Sequence, residues 1–103
     1  MSVKEVDREG FVQETAEGTV VVDFWGPRCA PCLALMPVVE ELASQLEGKV
    51  RFLKVDSSKN RRLCVDLGVM SLPTFLAYRD GQEVERLTGH VDARSLREMV
   101  QRL

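Results

Sequence analysis

The chain has 103 residues, with 45% hydrophobic residues, 29% charged residues and a formal net charge of -2. This length suits one core, so we predict a single domain over residues 1–103. The charge balance excludes a general attraction to nucleic acid or to anionic membranes. Its apolar runs are far shorter than the roughly 20 residues of a membrane span, and the charged first ten residues lack a signal-peptide core. We therefore expect a cytoplasmic protein.

Helix and strand patterns alternate in the first half of the chain. Asp7 is a candidate N-cap for a short helix that ends near Gly18. Residues 19–25 (TVVVDFW) form a β-branched and aromatic run that is typical of a strand buried on both faces. After a Gly-Pro break, apolar residues at helical spacing predict a helix over residues 30–46. Alternation over residues 49–56 predicts the next strand.

A third helix and two short strands follow. Ser57 or Ser58 is a candidate cap for this helix, which Gly68 closes. Residues 73–78 and 83–88 are predicted to be strands.

The turn between these two strands and the last helix complete the prediction. The Asp80-Gly81 pair is a hairpin signal, so the two strands are expected to be antiparallel. Asp92 is a candidate cap for the last helix. The strand–helix–strand order over residues 19–78 predicts parallel strands there. The whole chain is therefore predicted to be an α/β protein, with a mixed sheet between two helical layers.

Cys29 and Cys32 lie at the junction between a predicted strand and a predicted helix. Unpaired N–H groups and the dipole at a helix start favour an anion, so the thiolate of Cys29 should be stabilised. Arg28 adds a positive charge beside it, and Pro31 is tolerated in the first turn. We expect Cys29 to attack a substrate disulfide and Cys32 to resolve the mixed disulfide.

Asp23 is an anomaly, because a carboxylate within a buried strand is costly without a partner or a task. It precedes Cys29 on the strand that leads into the cysteine loop, so it can lie beneath the pair. A buried carboxylate has a raised pKa and can act as a base near neutral pH. We expect Asp23 to accept the proton of Cys32.

Several segments together resemble the thioredoxin family. Residues 22–25 (VDFW) with 29–32 (CAPC) are similar to its active-site segment, and residues 68–74 (GVMSLPT) are similar to its cis-proline loop. Lys54 matches a strand lysine that approaches the buried aspartate. The later turn and glycine also match, at Asp80, Gly81 and Gly89.

The resemblance implies the thioredoxin fold, a central mixed five-stranded sheet flanked by four helices, and a protein-disulfide reductase. It implies that Pro73 is cis and faces the disulfide, and that the backbone of Leu72 pairs with an extended substrate. The expected catalytic residues are Cys29, Cys32, Asp23 and Lys54, and the expected substrate-binding residues are Arg28, Ala30, Pro31, Leu72, Pro73 and Gly89. No bound cofactor or metal is expected. Electrons would come from NADPH through a flavin-dependent thioredoxin reductase, and the protein would be a monomer.

The segment around the cysteines departs from the family pattern. Arg28, Ala30 and Leu33 stand where the family usually has Trp, Gly and Lys. Loss of the Trp removes an aromatic docking surface, whereas Arg28 should favour partners with acidic rims.

Two other functions remain open from the sequence. The cysteine pair could be half of a zinc site, for which Cys64 and His90 are the other candidate ligands. Alternatively, the fold could be a docking platform with incidental thiols, although Asp23, Lys54 and Pro73 argue against a pure scaffold. We expect Cys64 to be an inert core thiol and His90 to be a surface turn residue.

Overall fold

The computed structural model describes residues 3–103, so the first two residues of the predicted domain lie outside the described range. Within that range the strands are β1 (Val3–Glu5), β2 (Thr19–Trp25), β3 (Arg51–Asp56), β4 (Thr74–Arg79) and β5 (Gln82–Leu87). The helices are α1 (Arg8–Thr15), α2 (Ala30–Gln45), α3 (Arg61–Leu67) and α4 (Ala93–Gln101). A single sheet has the order β1-β3-β2-β4-β5, which confirms the mixed five-stranded sheet with four helices.

Strand β2 is the centre of the sheet. It pairs in parallel with β3, where Asp23 lies opposite Lys54, and antiparallel with β4, where Asp23 lies opposite Phe75. Alternation along β2 sends Val20, Val22 and Phe24 to the opposite face from Val21 and Asp23. Both faces are buried, as the continuous apolar run predicts.

Two hydrophobic clusters lie on the two faces of the sheet. One contains residues of α2 and α4, including Leu35, Val39 and Leu96. The other contains residues of α1 and α3, including Phe11 and Leu63. Asp23 therefore lies on the face that α2 and α4 cover, because its neighbour two residues earlier, Val21, belongs to their cluster.

The prediction of parallel strands is right for β2 and β3 but wrong for β4, which runs antiparallel to β2. The seven residues of α3 span about 10 Å, whereas six strand residues span about 20 Å. Helix α3 alone therefore does not return the chain to the far end of the sheet. Strand β4 starts near the end at which β3 finished.

Most of the predicted caps and turns are confirmed. The carboxylates of Asp7 and Asp92 accept backbone N–H groups at the starts of α1 and α4, at 2.9 and 2.8 Å. Gly68 ends α3 in the left-handed conformation, with φ of 69°. Asp80 and Gly81 both have positive φ, 50° and 88°, as a tight antiparallel hairpin requires.

Two features differ from the sequence analysis. Strand β1 was not predicted, because its three residues are too few for a periodic pattern; it pairs in parallel with the edge of β3. The predicted serine cap of α3 is also wrong. The backbone N–H of Ser58 donates to Asp56, which caps a separate 3-10 turn, Ser57–Lys59. The N-cap residue of α3 is Asn60, whose side chain makes no capping hydrogen bond.

Candidate active site

Cys29 and Cys32 form a disulfide at the start of α2, with an S–S distance of 2.16 Å and a Cα–Cα distance of 5.2 Å. Cys29 is the N-cap, and its sulfur accepts the backbone N–H of Cys32 at 3.2 Å. Cys29 is partly exposed, whereas Cys32 is only 1% exposed. The two sulfurs therefore differ in access, and the exposed one lies where a helix start favours negative charge.

The local sequence explains how the pair is placed. Strand β2 ends at Trp25, and a turn follows in which the backbone N–H of Cys29 donates to the carbonyl of Gly26 at 3.1 Å. A Cβ at the buried Gly26 would lie 3.2 Å from Cδ1 of Leu72, so a larger residue there would have to displace this side chain by a few tenths of an ångström. Pro31 lies in the first turn of α2, where no N–H is needed.

Asp23 is 1% exposed, and neither of its carboxylate oxygens has a hydrogen-bond partner within residues 3–103. Burial raises the pKa of Asp23 to about 7, and the positive charge of Lys54 partly offsets this rise. No ion pair of 4 Å or less joins the two side chains in the described part of the chain. Asp23 is therefore a carboxyl group that can exchange a proton near neutral pH.

Lys54 lies beside Asp23 across the β2–β3 pair, and the two side chains share a face of the sheet. Its ammonium lies 5.6 Å from the centre of the Trp25 ring, within the range of a cation–π contact. Trp25 thus places this positive charge beside the aspartate as well as ending the strand.

An open cleft of about 860 Å³ borders the disulfide. Cys29 and Arg28 lie on one side, α3 contributes Arg61 and Cys64, and the loop before β4 contributes Met70 and Leu72. The cleft therefore gives access to Cys29, while Cys32 is not among its lining residues.

The predicted substrate-binding residues are distributed unevenly around this cleft. Arg28 and Leu72 line it, and the exposed Ala30 and Pro31 follow Cys29 at the start of α2. Neither Pro73 nor Gly89 lines the cleft.

The two remaining residues have their own settings. The Leu72–Pro73 peptide bond is cis, as the resemblance implies, and Pro73 is buried. Gly89 is exposed, with φ of 84°, so its backbone conformation alone explains the glycine.

Several cleft residues are not predicted from the sequence, above all Arg61, Val69 and Met70. Arg61 is exposed and has the basic neighbours Lys59 and Arg62, a pattern that is typical of an ordinary solvated surface. Met70 is 92% exposed, and an apolar residue in a loop is only a weak sequence signal of such exposure. Cys64 is 8% exposed and belongs to a core cluster, so its predicted burial is confirmed. Cys64 also lines the cleft.

No group of three or more His, Cys, Asp or Glu side chains within residues 3–103 is arranged to hold a metal ion. His90 is exposed, in the segment between β5 and α4. None of the helices in this range is long and apolar enough to cross a membrane.

A disulfide with one accessible sulfur at a helix start, in a fold with a mixed sheet and a cis-proline, defines a thiol–disulfide oxidoreductase site. The thioredoxin family model matches residues 2–102. The chain is 38% identical over 100 residues to thioredoxin of Bacillus subtilis (strain 168), covering 97% of this chain and 96% of the relative. It is 48% identical over 86 residues to thioredoxin of Peptoclostridium acidaminophilum, covering 82% and 78%. The chain therefore belongs to the thioredoxin family and acts on disulfide-containing proteins through a redox-active disulfide.

Proposed function

We propose that Cys29 is the attacking thiolate and Cys32 the resolving thiol of this oxidoreductase. The observation that carries the assignment is the contrast between the two sulfurs. Cys29 is partly exposed, lines the cleft and accepts an N–H group of the helix start, whereas Cys32 is buried. Only Cys29 is accessible to a disulfide on another protein.

The reaction transfers two electrons from the dithiol to the substrate. The Cys29 thiolate attacks one sulfur of the substrate disulfide, so that a mixed disulfide forms and the other substrate sulfur leaves as a thiolate. Cys32 then loses its proton and attacks the Cys29 sulfur. The Cys29–Cys32 disulfide forms, and the second substrate sulfur leaves.

Asp23 is the proposed acceptor of the Cys32 proton, and Lys54 is a positioning charge that keeps part of the Asp23 population ionised. The support is the location of Asp23 on the face covered by α2, its missing hydrogen bonds, and its pKa of about 7. At pH values below 7 most of the carboxyl groups are protonated and cannot accept the proton. The rate of resolution should therefore rise as the pH increases through neutrality.

Rapid mixing with a fluorescent peptide disulfide separates these roles, because attack and resolution are observed as two phases. Cys29→Ser should abolish attack, and Cys32→Ser should stop at a stable mixed disulfide. Asp23→Asn should slow resolution by about 100-fold, the contribution typical of a general base, with attack nearly unchanged. Equal resolution rates in Asp23→Asn and the wild type would refute the proton-transfer role. A cleavable mixed disulfide that forms on Cys32 would refute the order of attack.

Substrate binding is proposed to use the cleft and the backbone of Leu72. The N–H and C=O groups of Leu72 make no hydrogen bond within residues 3–103, so they are available to an extended chain. Arg28, Ala30 and Pro31 lie at the entrance to the cysteine pair. Pro73 and Gly89 are proposed to shape the backbone on either side of the substrate.

The remaining proposals concern the chain in its surroundings. We propose that residues 1–103 form one domain, that it is a monomer in the cytoplasm, and that NADPH reduces it through a flavin-dependent thioredoxin reductase. The family match over residues 2–102 and the single sheet support one domain. NADPH consumption with such a reductase and the oxidised protein tests the electron source, and sedimentation tests the monomer.

A further inference from the structure

The cleft beside Cys29 is lined by two arginines from different segments of the chain. Arg28 lies next to the cysteine, and Arg61 is the first residue of α3. None of the twelve lining residues is an Asp or a Glu. A ligand in the cleft therefore meets two guanidinium groups and no carboxylate of the lining.

These two arginines also differ from the rest of the molecule. The sequence has ten arginines, and eight of them bond to a carboxylate or a backbone carbonyl of the chain. Arg28 and Arg61 make no hydrogen bond or ion pair within residues 3–103. Among the partners that residues 3–103 provide, the only arginines left without one are thus the two that line the cleft.

The nearest carboxylates along the chain do not neutralise Arg61. Asp56 is buried and accepts hydrogen bonds from the backbone and the hydroxyl of Ser58. Asp66 is paired with Arg8 and Arg62. The charge in the cleft is therefore left for an external partner.

On the basis of the proposed function, we infer that this cleft selects protein disulfides whose cysteine lies in an extended acidic segment. Guanidinium groups pair with carboxylates through two parallel hydrogen bonds, so Arg28 and Arg61 fit acidic side chains on either side of the substrate cysteine. The unbonded backbone of Leu72 and the exposed side chain of Met70 fit a peptide chain between them. A small charged thiol would leave these peptide contacts unused.

The test compares peptide disulfides that differ only in the residues flanking the cysteine, which are Glu, Gln or Lys. The measured quantity is the second-order rate constant of attack by the reduced protein, expressed as the ratio of the Glu to the Gln peptide. This ratio should exceed one in the wild type and fall about two- to fivefold in Arg61→Gln, the size of an exposed ion pair. Arg61→Glu should invert the preference. At high salt the ratio should approach one, because the ion pairs are screened.

Arg62→Gln is the matched control, since it removes the same charge one residue away, at a position that does not line the cleft. An equal loss in Arg61→Gln and Arg62→Gln would overturn the inference, as would a ratio of one in the wild type. If oxidised glutathione were reduced faster than the Glu peptide, the preferred partner would be a small acidic disulfide and not a peptide. This result would also overturn the inference. Failure to reduce the Gln peptide would instead refute the proposed function, so the two failures are distinguishable.

Discussion

The buried carboxyl of Asp23 should make the stability of the oxidised protein fall as the pH rises. Burial raises the pKa of Asp23 from 3.8 to about 7, so the folded protein binds this proton more tightly than the unfolded chain. The stabilisation is fully present below the unfolded value and is lost as the pH increases through the folded value. A difference of about three units, at 1.36 kcal/mol per unit, corresponds to about 4 kcal/mol between pH 4 and pH 7. Asp23→Asn removes this dependence, because the amide does not titrate.

The assay is urea unfolding of the oxidised wild type and Asp23→Asn from pH 4 to pH 9, with the disulfide intact so that neither active-site thiol titrates. The free energy of unfolding of the variant, relative to wild type, should increase by about 4 kcal/mol across this range. Asp66→Asn is the control. The arginine partners of Asp66 lower its pKa, so the stabilisation that this carboxylate provides is lost only at pH values below the ordinary pKa of an aspartate. Its difference from wild type should be constant above pH 5. A constant difference for Asp23→Asn as well would refute the raised pKa.

Three further predictions concern the cysteine and the scaffold. In the reduced protein, Arg28→Gln should slow alkylation of Cys29 by iodoacetamide at neutral pH by about two- to fivefold, the size of an exposed charge interaction; an unchanged rate would contradict the role of Arg28. Leu96→Ala, at a fully buried position, should cost about 2–5 kcal/mol in urea unfolding, whereas Leu33→Ala, at an exposed one, should cost well under half as much; equal costs would contradict the burial. Gly68→Ala should cost about 1–2 kcal/mol, because φ there is 69°, and no loss would show that the helix end rearranges.

Local features of the fold were predictable because their causes lie within a few residues. The N-caps at Asp7 and Asp92, the left-handed Gly68 and the hairpin at Asp80 each depend on hydrogen bonds or φ values of neighbouring residues. The same is true of Cys29 at the start of α2, since a strand, a Gly-Pro break and a helix pattern follow one another directly.

Other parts of the site depended on contacts between distant segments. Three residues in β1 have no pattern of their own, and they become a strand only by pairing with β3. The direction of β4 is fixed by its antiparallel pairing with β2 and not by a residue preference. Arg61 looked like any basic surface residue, and only the packing of α3 beside the cysteine loop places it in the cleft.

The sequence by itself determined the reactive pair, its position at a helix start and the presence of a costly carboxylate in a buried strand. Tertiary structure decided what surrounds these groups: it covered the face of the sheet that carries Asp23, made Cys32 inaccessible and left Cys29 at the edge of an open cleft. The reason is physical. Capping and spacing are short-range properties of the chain, whereas burial, pKa and charge pairing depend on which distant residues exclude water from a group.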